Sequence, residues 1–321
     1  MVGFEHEHSF DLFGSTVRLL IGPPARADLP PPELAAIELE AFLRAMHRKL
    51  TRFDSDSELC RLNDDPASEC TVSPMLALAL RAGLWAADQS GGLVDPTLVR
   101  ELERAGYARS RVGVKGASLS DALKDAPPRS PAQPAPDARW REISVDQTGG
   151  TVRRPPGLRF DTGGSGKGLA ADLASGRLDG YSTHAVDAGG DLRLGGATPL
   201  ARSVSVESPL SSENVFEFEL TDGAVATSGL ATRIWRSGDG YAHHLIDPST
   251  GQPAWTGVIQ ATALAPTALA AETLAKSALL SGPDRGRALL AEQGGVLVLD
   301  NGEVELVGPL SNRTAALADA I

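Results

Sequence analysis

Apolar and polar residues alternate along Ser9 to Ile21, SFDLFGSTVRLLI, and this period of two predicts an opening strand with Gly14 as a bulge or close-approach point. From Pro31 to about Lys49, PPELAAIELEAFLRAMHRKL places apolar residues at helical spacing behind a proline start, and SPMLALALRAGLWAADQS repeats that design. The pattern lapses between Ala126 and Ala138, APPRSPAQPAPDA, which predicts a flexible proline-rich insertion. Trp140 resumes strand-like text, and WREISVDQTGGTVRRPPGLRFD reads as a hairpin leading into RFDTGGSGKGLAADLASGRL. A helix over about Lys167 to Leu178 follows, then a short strand in THAVDAGGDLRLGG and further strands in ARSVSVES and NVFEFELTDGAVATSG. GVIQATALAPTALAAETLAKSALLSG predicts a strand running into a helix, and DRGRALLAEQ another helix. GVLVLDNGEVELVG closes the chain's pattern as a hairpin turning at Asn301-Gly302. Strands and helices mix without a βαβα rhythm, so the expected class is α+β, with mixed sheets and flanking helices in one unit over 1–321.

The glycine run Gly163, Gly164, Gly166 and Gly168 stands at the mouth of a helix and encloses one lysine, Lys167. It is not a P-loop: Asp161 stands where that motif has its first glycine, and Gly168 where it has Ser or Thr. G-x-G-x-x-G is not matched either. A tight strand-to-helix turn with an exposed lysine is one reading, but four glycines exceed what a turn needs. The reading with more content is an anion site: small residues admit a ligand to the backbone, the helix start offers free amides, and Lys167 adds a point charge.

Composition narrows the partners. A formal net charge of -11 with no basic run argues against a nucleic-acid binder. The start, MVGFEHEHSFDLFGSTVRLLIGPP, lacks the basic and unbroken apolar stretches of a secretory leader, and no window of about 18 apolar residues predicts a membrane span. Cys60 and Cys70 have neither C-x-x-C nor zinc-like spacing and read as free thiols, so a soluble, cytoplasmic protein is expected. His6 and His8 alternate like a metal-ligand pair, but strand alternation accounts for them better.

Five segments together resemble one family, the ApbE flavin transferases. FDSDSELCRLN (Phe53 to Asn63) is similar to its Y-x-P-D-S-E-h-S-R-h-N block, and GGLVDPTL to G-x-F-D-P-T-h. DTGGSGKGLAAD is similar to D-L-G-G-I-A-K-G-Y-A-x-D, VDAGGDLRLGG to h-N-x-G-G-D-h, and TSGLATR…HHLIDPSTGQPA to T-S-G…H-H-I-I-D-P-x-T-G-x-P. The resemblance implies a T-fold-like catalytic unit with a cofactor cleft. Its implied activity is magnesium-assisted transfer of the FMN part of FAD onto a Ser or Thr of a partner protein, with release of AMP. A flavin-binding protein without transfer, or a pyrophosphatase giving FMN and AMP, are the alternatives.

The same resemblance implies flavin contacts at Phe13, Phe53, Leu93, Val94, Asp95, Gly163, Leu169 and Leu245, with Gly164 and Lys167 at the pyrophosphate. It implies metal ligation by the Gly166 carbonyl and by an Asp and a Thr four residues apart on a late helix. In AETLAKSALLSG those positions are Glu272 and Lys276. Glutamate keeps a hard oxygen ligand. A protonated lysine has no lone pair for a cation and repels one. Two readings follow: Lys276 neutralises the pyrophosphate in place of the metal with Glu272 orienting it, or the two form an exposed i, i+4 pair. His244 is the candidate base, beside Asp247 in HHLIDP, with His243 facing the other way. Thr227, Ser228 and Arg233 are singled out without a definite role, and Ser228-Gly229 reads as a segment that shapes the cleft.

Overall fold

The structure is a computed structural model that describes residues 4–146, 150–211 and 213–311. An eight-stranded sheet organises it: β1 (His6–Leu12), β2 (Ser15–Ile21), β3 (His184–Ala188), β4 (Asp191–Gly195), β5 (Gly223–Gly229), β6 (Val258–Ala265), β7 (Gly295–Leu299) and β8 (Val304–Val307). The strands lie across the sheet in chain order, and every neighbouring pair is antiparallel. Long excursions between strands carry the helices α1 (Pro32–Leu50), α2 (Pro74–Gln89), α3 (Gly166–Arg177) and α4 (Ala268–Leu290). The α+β expectation therefore holds.

Periodicity alone explains the helices. α1 buries Ala35, Ala36, Leu39, Leu43, Met46 and Leu50, which recur at three and four residues along one face. Ser73 caps α2 by accepting from the Leu76 amide, with Pro74 in the first turn. The helices cover one face of the sheet; α4 packs on β5 and β6, and α3 packs on β3 and β4. A separate hairpin, Arg202–Glu207 with Asn214–Leu220, covers the other face through Val206 and Phe218 against Val225 and Val296. β7 is accordingly buried along its whole length, and β6 nearly so, as strands sandwiched on both sides must be.

Three expectations are corrected. The first strand is two, joined at Phe13-Gly14, where both residues have positive φ (56° and 74°). That is a two-residue hairpin turn with a phenylalanine where glycine or asparagine is usual. THAVDAGGDLRLGG is likewise two strands, β3 and β4, turning at Gly189-Gly190. As expected, DRGRALLAEQ forms a second helical stretch, separated from the first part of α4 by a non-helical break at Gly282 (φ 76°) and Pro283.

The proline-rich segment has no regular structure, yet it is not a free linker. The Ala132 amide donates to Leu280 O at 2.8 Å, the Ser130 amide to Trp255 O at 2.9 Å, and the Gln133 amide to Asp247 Oδ1 at 3.0 Å. Arg129 pairs with Asp300 at 2.6 Å. Extended PPII-like backbone leaves its amides and carbonyls unpaired locally, and here tertiary partners take them.

The hairpin expected after Trp140 forms from Ser144–Val145 and Thr151–Arg153, with part of its turn outside the described residues. His8 meets Glu40 at 2.5 Å and His6 approaches Glu33 at 3.9 Å, so both histidines link β1 to α1. Cys60 and Cys70 are free thiols.

Candidate active site

Asp161 begins the glycine loop and anchors it at both ends of its own residue. Its amide donates to Pro96 O at 2.8 Å, and its Oδ1 accepts from the Gly163 amide at 3.1 Å. Thr162 fixes the next step, its hydroxyl donating to Leu50 O at 3.2 Å and its carbonyl accepting from Gly166 at 2.7 Å. α3 then starts at Gly166. None of the four glycines has positive φ, so conformational freedom is not why they are there.

Their spacing to neighbours gives a clearer reason. A Cβ on Gly168 would stand 2.6 Å from Ala268 O and 2.8 Å from Leu269 Cα, so this glycine lets α3 and α4 touch backbone to backbone. Gly163, Gly164 and Gly166 instead line two adjoining cavities. Of the four, the first three are therefore the ones open to the cleft.

The larger cavity, about 480 Å³, is walled by Phe13, Phe53, Tyr107, Gly163, Gly166, Lys167 and Arg233, with the loop Ser110–Gly116 across it. The smaller, about 90 Å³, is walled by Leu93, Val94, Asp95, Gly163, Gly164, His244, Leu245 and Lys276. Tyr107, Asp161, Gly163 and Arg233 belong to both walls, so the glycine loop sits at the junction of one cleft.

Charges converge on that junction. Lys167 Nζ lies 3.0 Å from Asp191 Oδ2 and donates to Gly189 O at 3.0 Å. Burial works against its charge, but Asp191 and Glu272 outweigh burial and hold its pKa above the usual lysine value. Arg52, with only 3 % of its side chain exposed, stacks over Phe53 and Tyr107 at 4.3 and 4.6 Å and reaches Asp161 at 3.3 Å; its buried Nη2 has no hydrogen-bond partner. Arg233 donates to Phe13 O at 3.3 Å and forms no ion pair among the described residues.

Glu272 and Lys276 do not form the exposed pair that one reading expected. Glu272 is fully buried; its Oε2 accepts from the Gly168 amide at 2.9 Å and its Oε1 from Lys276 Nζ at 2.8 Å. Burial raises the pKa of Glu272, with Lys276 and Lys167 opposing it. Lys276 is 12 % exposed and faces the smaller cavity. Burial also holds the pKa of His244 well below the usual histidine value, with Arg233, His243 and Lys276 adding to it, so the ring is neutral and its Nδ1 lacks a partner.

Three expected residues are placed elsewhere or differently. Asp247 lines neither cavity of the cleft; its Oδ1 accepts from the Gln133 amide, the Ser249 amide and the Ser249 hydroxyl at 2.9–3.0 Å, which makes it the brace of a turn and of the proline-rich segment. Leu169 is 6 % exposed, packs in the main core and lines neither cavity. Thr227, which the sequence left without a definite role, bonds across strands to Thr262 at 2.8 Å and lines neither cavity. Asp95 does line it, but its Oδ1 is engaged by the amide and hydroxyl of Thr97 at 2.8 and 2.6 Å.

Comparison with known proteins decides the family: residues 13–299 match the model of the ApbE family. The chain belongs to the ApbE family. ApbE relatives include a FAD:protein FMN transferase of Treponema pallidum, 28 % identical over 310 residues, covering 88 % of this chain and 82 % of that one. One of Klebsiella pneumoniae is 26 % identical over 276 residues, covering 82 % and 75 %. The crystal structure of the ApbE protein of Thermotoga maritima superposes with a TM-score of 0.76 at 25 % identity, covering 94 % of this chain and 97 % of that one. The apo flavinyl transferase ApbE of Pseudomonas stutzeri gives 0.74 at 23 %, covering 98 % and 97 %, a likeness of fold.

Arg52 and Tyr107 were not foreseen, although Arg52 directly precedes the singled-out FDSDSELCRLN block. Asp191 was visible only as the last letter of AGGD, with nothing to say that Lys167 would reach it.

Proposed function

We propose that this chain binds FAD across the glycine loop and transfers its FMN part to a Ser or Thr hydroxyl of another protein. The carrying observation is the junction itself: loop backbone, Lys167, Arg52 and Arg233 meet where two cavities join, one faced by Phe13, Phe53 and Tyr107. A ligand with an aromatic system on either side of a diphosphate suits that shape, and the relatives' activity agrees with it.

In the reaction, the hydroxyl oxygen attacks the flavin-side phosphorus, a new P–O bond forms, and the bridging P–O bond breaks with its electron pair leaving on AMP. Such transfers need mainly positioning and charge opposite the phosphoryl oxygens. The cationic side chains at the junction supply both. His244, in the wall of the smaller cavity, is the group assigned to take the hydroxyl proton. Asp247 has no part in this step beyond bracing the fold.

Magnesium, which the family resemblance implies, does not fit the residues present. Both Glu272 oxygens are already hydrogen-bonded, and an ammonium group stands where a neutral oxygen ligand is required. Among the described residues no group of three or more His, Cys, Asp or Glu side chains converges on another metal site.

No helix among the described residues is long and apolar enough to cross a membrane. The free thiols support a reducing compartment and hence reaction in the cytoplasm. The test is incubation with FAD and co-expressed candidate acceptors, followed by mass spectrometry and AMP assay. An acceptor Ser or Thr carrying added FMN, with equal AMP released, is the expected result. AMP without any modified protein identifies a pyrophosphatase instead, and bound flavin without AMP a binding protein.

A further inference from the structure

Resting on the reading of the cleft as an FAD site, we infer that the cation serving the diphosphate is built into the chain: the Lys276 ammonium, held by Glu272 against the first turn of α3, allows FAD to bind without a divalent ion. The pair spans i to i+4 on α4, but it is not a solvated surface pair, for Glu272 is 0 % exposed and Lys276 12 %.

Two hydrogen bonds fix the Glu272 carboxylate. Gly168 donates to one carboxylate oxygen, Lys276 to the other, and the contact is possible only because Gly168 has no side chain between α3 and α4. Turning the carboxylate toward a metal would strand either a buried amide or a buried ammonium. Lys276 has three N–H donors and spends one on Glu272. It shares the wall of the smaller cavity with Gly163, Gly164, Ser165, His244 and Arg233, at the end of the glycine loop where the phosphates are placed. A divalent ion at the same spot would be repelled by the ammonium.

The test is a fluorescence titration of the full chain with FAD and with riboflavin, which has no phosphate, in EDTA and in Mg²⁺. Equal FAD affinity in both media is expected for the native chain. Lys276→Met is expected to weaken FAD by roughly 10- to 100-fold and to leave riboflavin unchanged, the scale of one charge-assisted hydrogen bond to an anion. The double variant Glu272→Gln, Lys276→Met keeps an acceptor for Gly168 without a lone buried charge, so the comparison survives if the single variant misfolds. Lys276→Thr, which frees Glu272 Oε1, is expected to acquire Mg²⁺ dependence.

If Mg²⁺ tightens FAD binding to the native chain about tenfold or more, or if the double variant binds FAD as the native chain does, the inference is overturned while the FAD site stands. If neither FAD nor riboflavin binds in either medium, the reading of the cleft falls, and the inference with it.

Discussion

Gly168→Ala tests the contact on which the site's geometry rests. The added methyl would meet Ala268 O at 2.6 Å, Ala268 C at 2.7 Å and Leu269 Cα at 2.8 Å, all backbone atoms of the α4 start that cannot swing aside as a flexible side chain does. Overpacking of this kind costs about 1–3 kcal/mol. Alanine recovers up to about 1 kcal/mol of helix propensity over glycine, so a net loss of about 1–2 kcal/mol is expected. Gly176 supplies the control: it is exposed in the last turn of the same helix, and a Cβ there meets nothing within 4 Å. Gly176→Ala should therefore stabilise by about 0.5 kcal/mol. Urea unfolding of the two variants measures the difference, and FAD titration measures its consequence. Spreading α3 from α4 lengthens the bond from the Gly168 amide to Glu272, so Gly168→Ala should also weaken FAD while Gly176→Ala does not. Equal midpoints and equal FAD affinities for the two variants would refute the claim that backbone contact between these helices sets the site.

Asp172→Ala removes the acceptor of the Ala268 and Leu269 amides, at 2.8 and 2.9 Å, and should cost about 1–2 kcal/mol as a lost helix cap, read by the thermal midpoint. Arg233→Ala should weaken FAD by about tenfold or more while costing no more than about 1 kcal/mol of stability, the scale of its hydrogen bond to Phe13 O; an unchanged titration would place the diphosphate elsewhere. Asp247→Ala should lower stability by about 1–3 kcal/mol and leave FAD affinity intact, whereas a catalytic aspartate would lose turnover at unchanged stability. Stability should fall with acid between pH 6.5 and 4, since burial lowers His184 from 6.5 to about 4 and His243 to about 3. The sign follows from the unfolded chain binding these protons first: stability is fully present above 6.5, and each histidine removes up to about 1.4 kcal/mol per pH unit below it. Urea midpoints unchanged from pH 7 to pH 5 would show that these rings are not buried as described.

Helical periods were easy to read because α1 and α2 each bury one face, and the α3 and α4 segments could be set opposite each other from the family pattern before any geometry was known. What escaped was decided by partners far along the chain. Phe13 takes a left-handed turn conformation that its own identity disfavours, so the β1–β2 hairpin looked like one strand. The proline-rich segment has no local pattern, and its order comes from Leu280, Trp255 and Asp247, more than 110 residues later. Arg52 and Tyr107 carry no periodic signal at all; they stack only once the turn after α1 meets the segment after Leu102. Asp247 is close to His244 in sequence but lines neither cavity of the cleft. Leu245 and Ile246 lie between them; His244, Leu245 and Ile246 line the smaller cavity, while the Asp247 carboxylate accepts from the Gln133 amide.

The charges at the junction were separable only in three dimensions, and their arrangement bears on how the cleft works. Lys167 with Asp191, Lys276 with Glu272 and Arg52 with Asp161 are three pairs already made in the protein itself. Formally they cancel, and Arg233 with the amides at the start of α3 adds positive charge at the junction, while Arg48, Arg111 and Lys115 line the larger cavity around it. A dianionic diphosphate there does not depend on flexible surface cations alone. It meets donors whose side chains are already immobilised by their acids and whose desolvation was settled when the chain folded. Positive groups fixed in this way need little reorganisation when negative charge shifts onto the departing AMP, and that is the property a phosphoryl-transfer site requires. The carboxylates are therefore part of the machinery although none need touch the ligand: removing Asp191 or Glu272 would add net positive charge to the cleft, yet loosen the lysine that has to be in place.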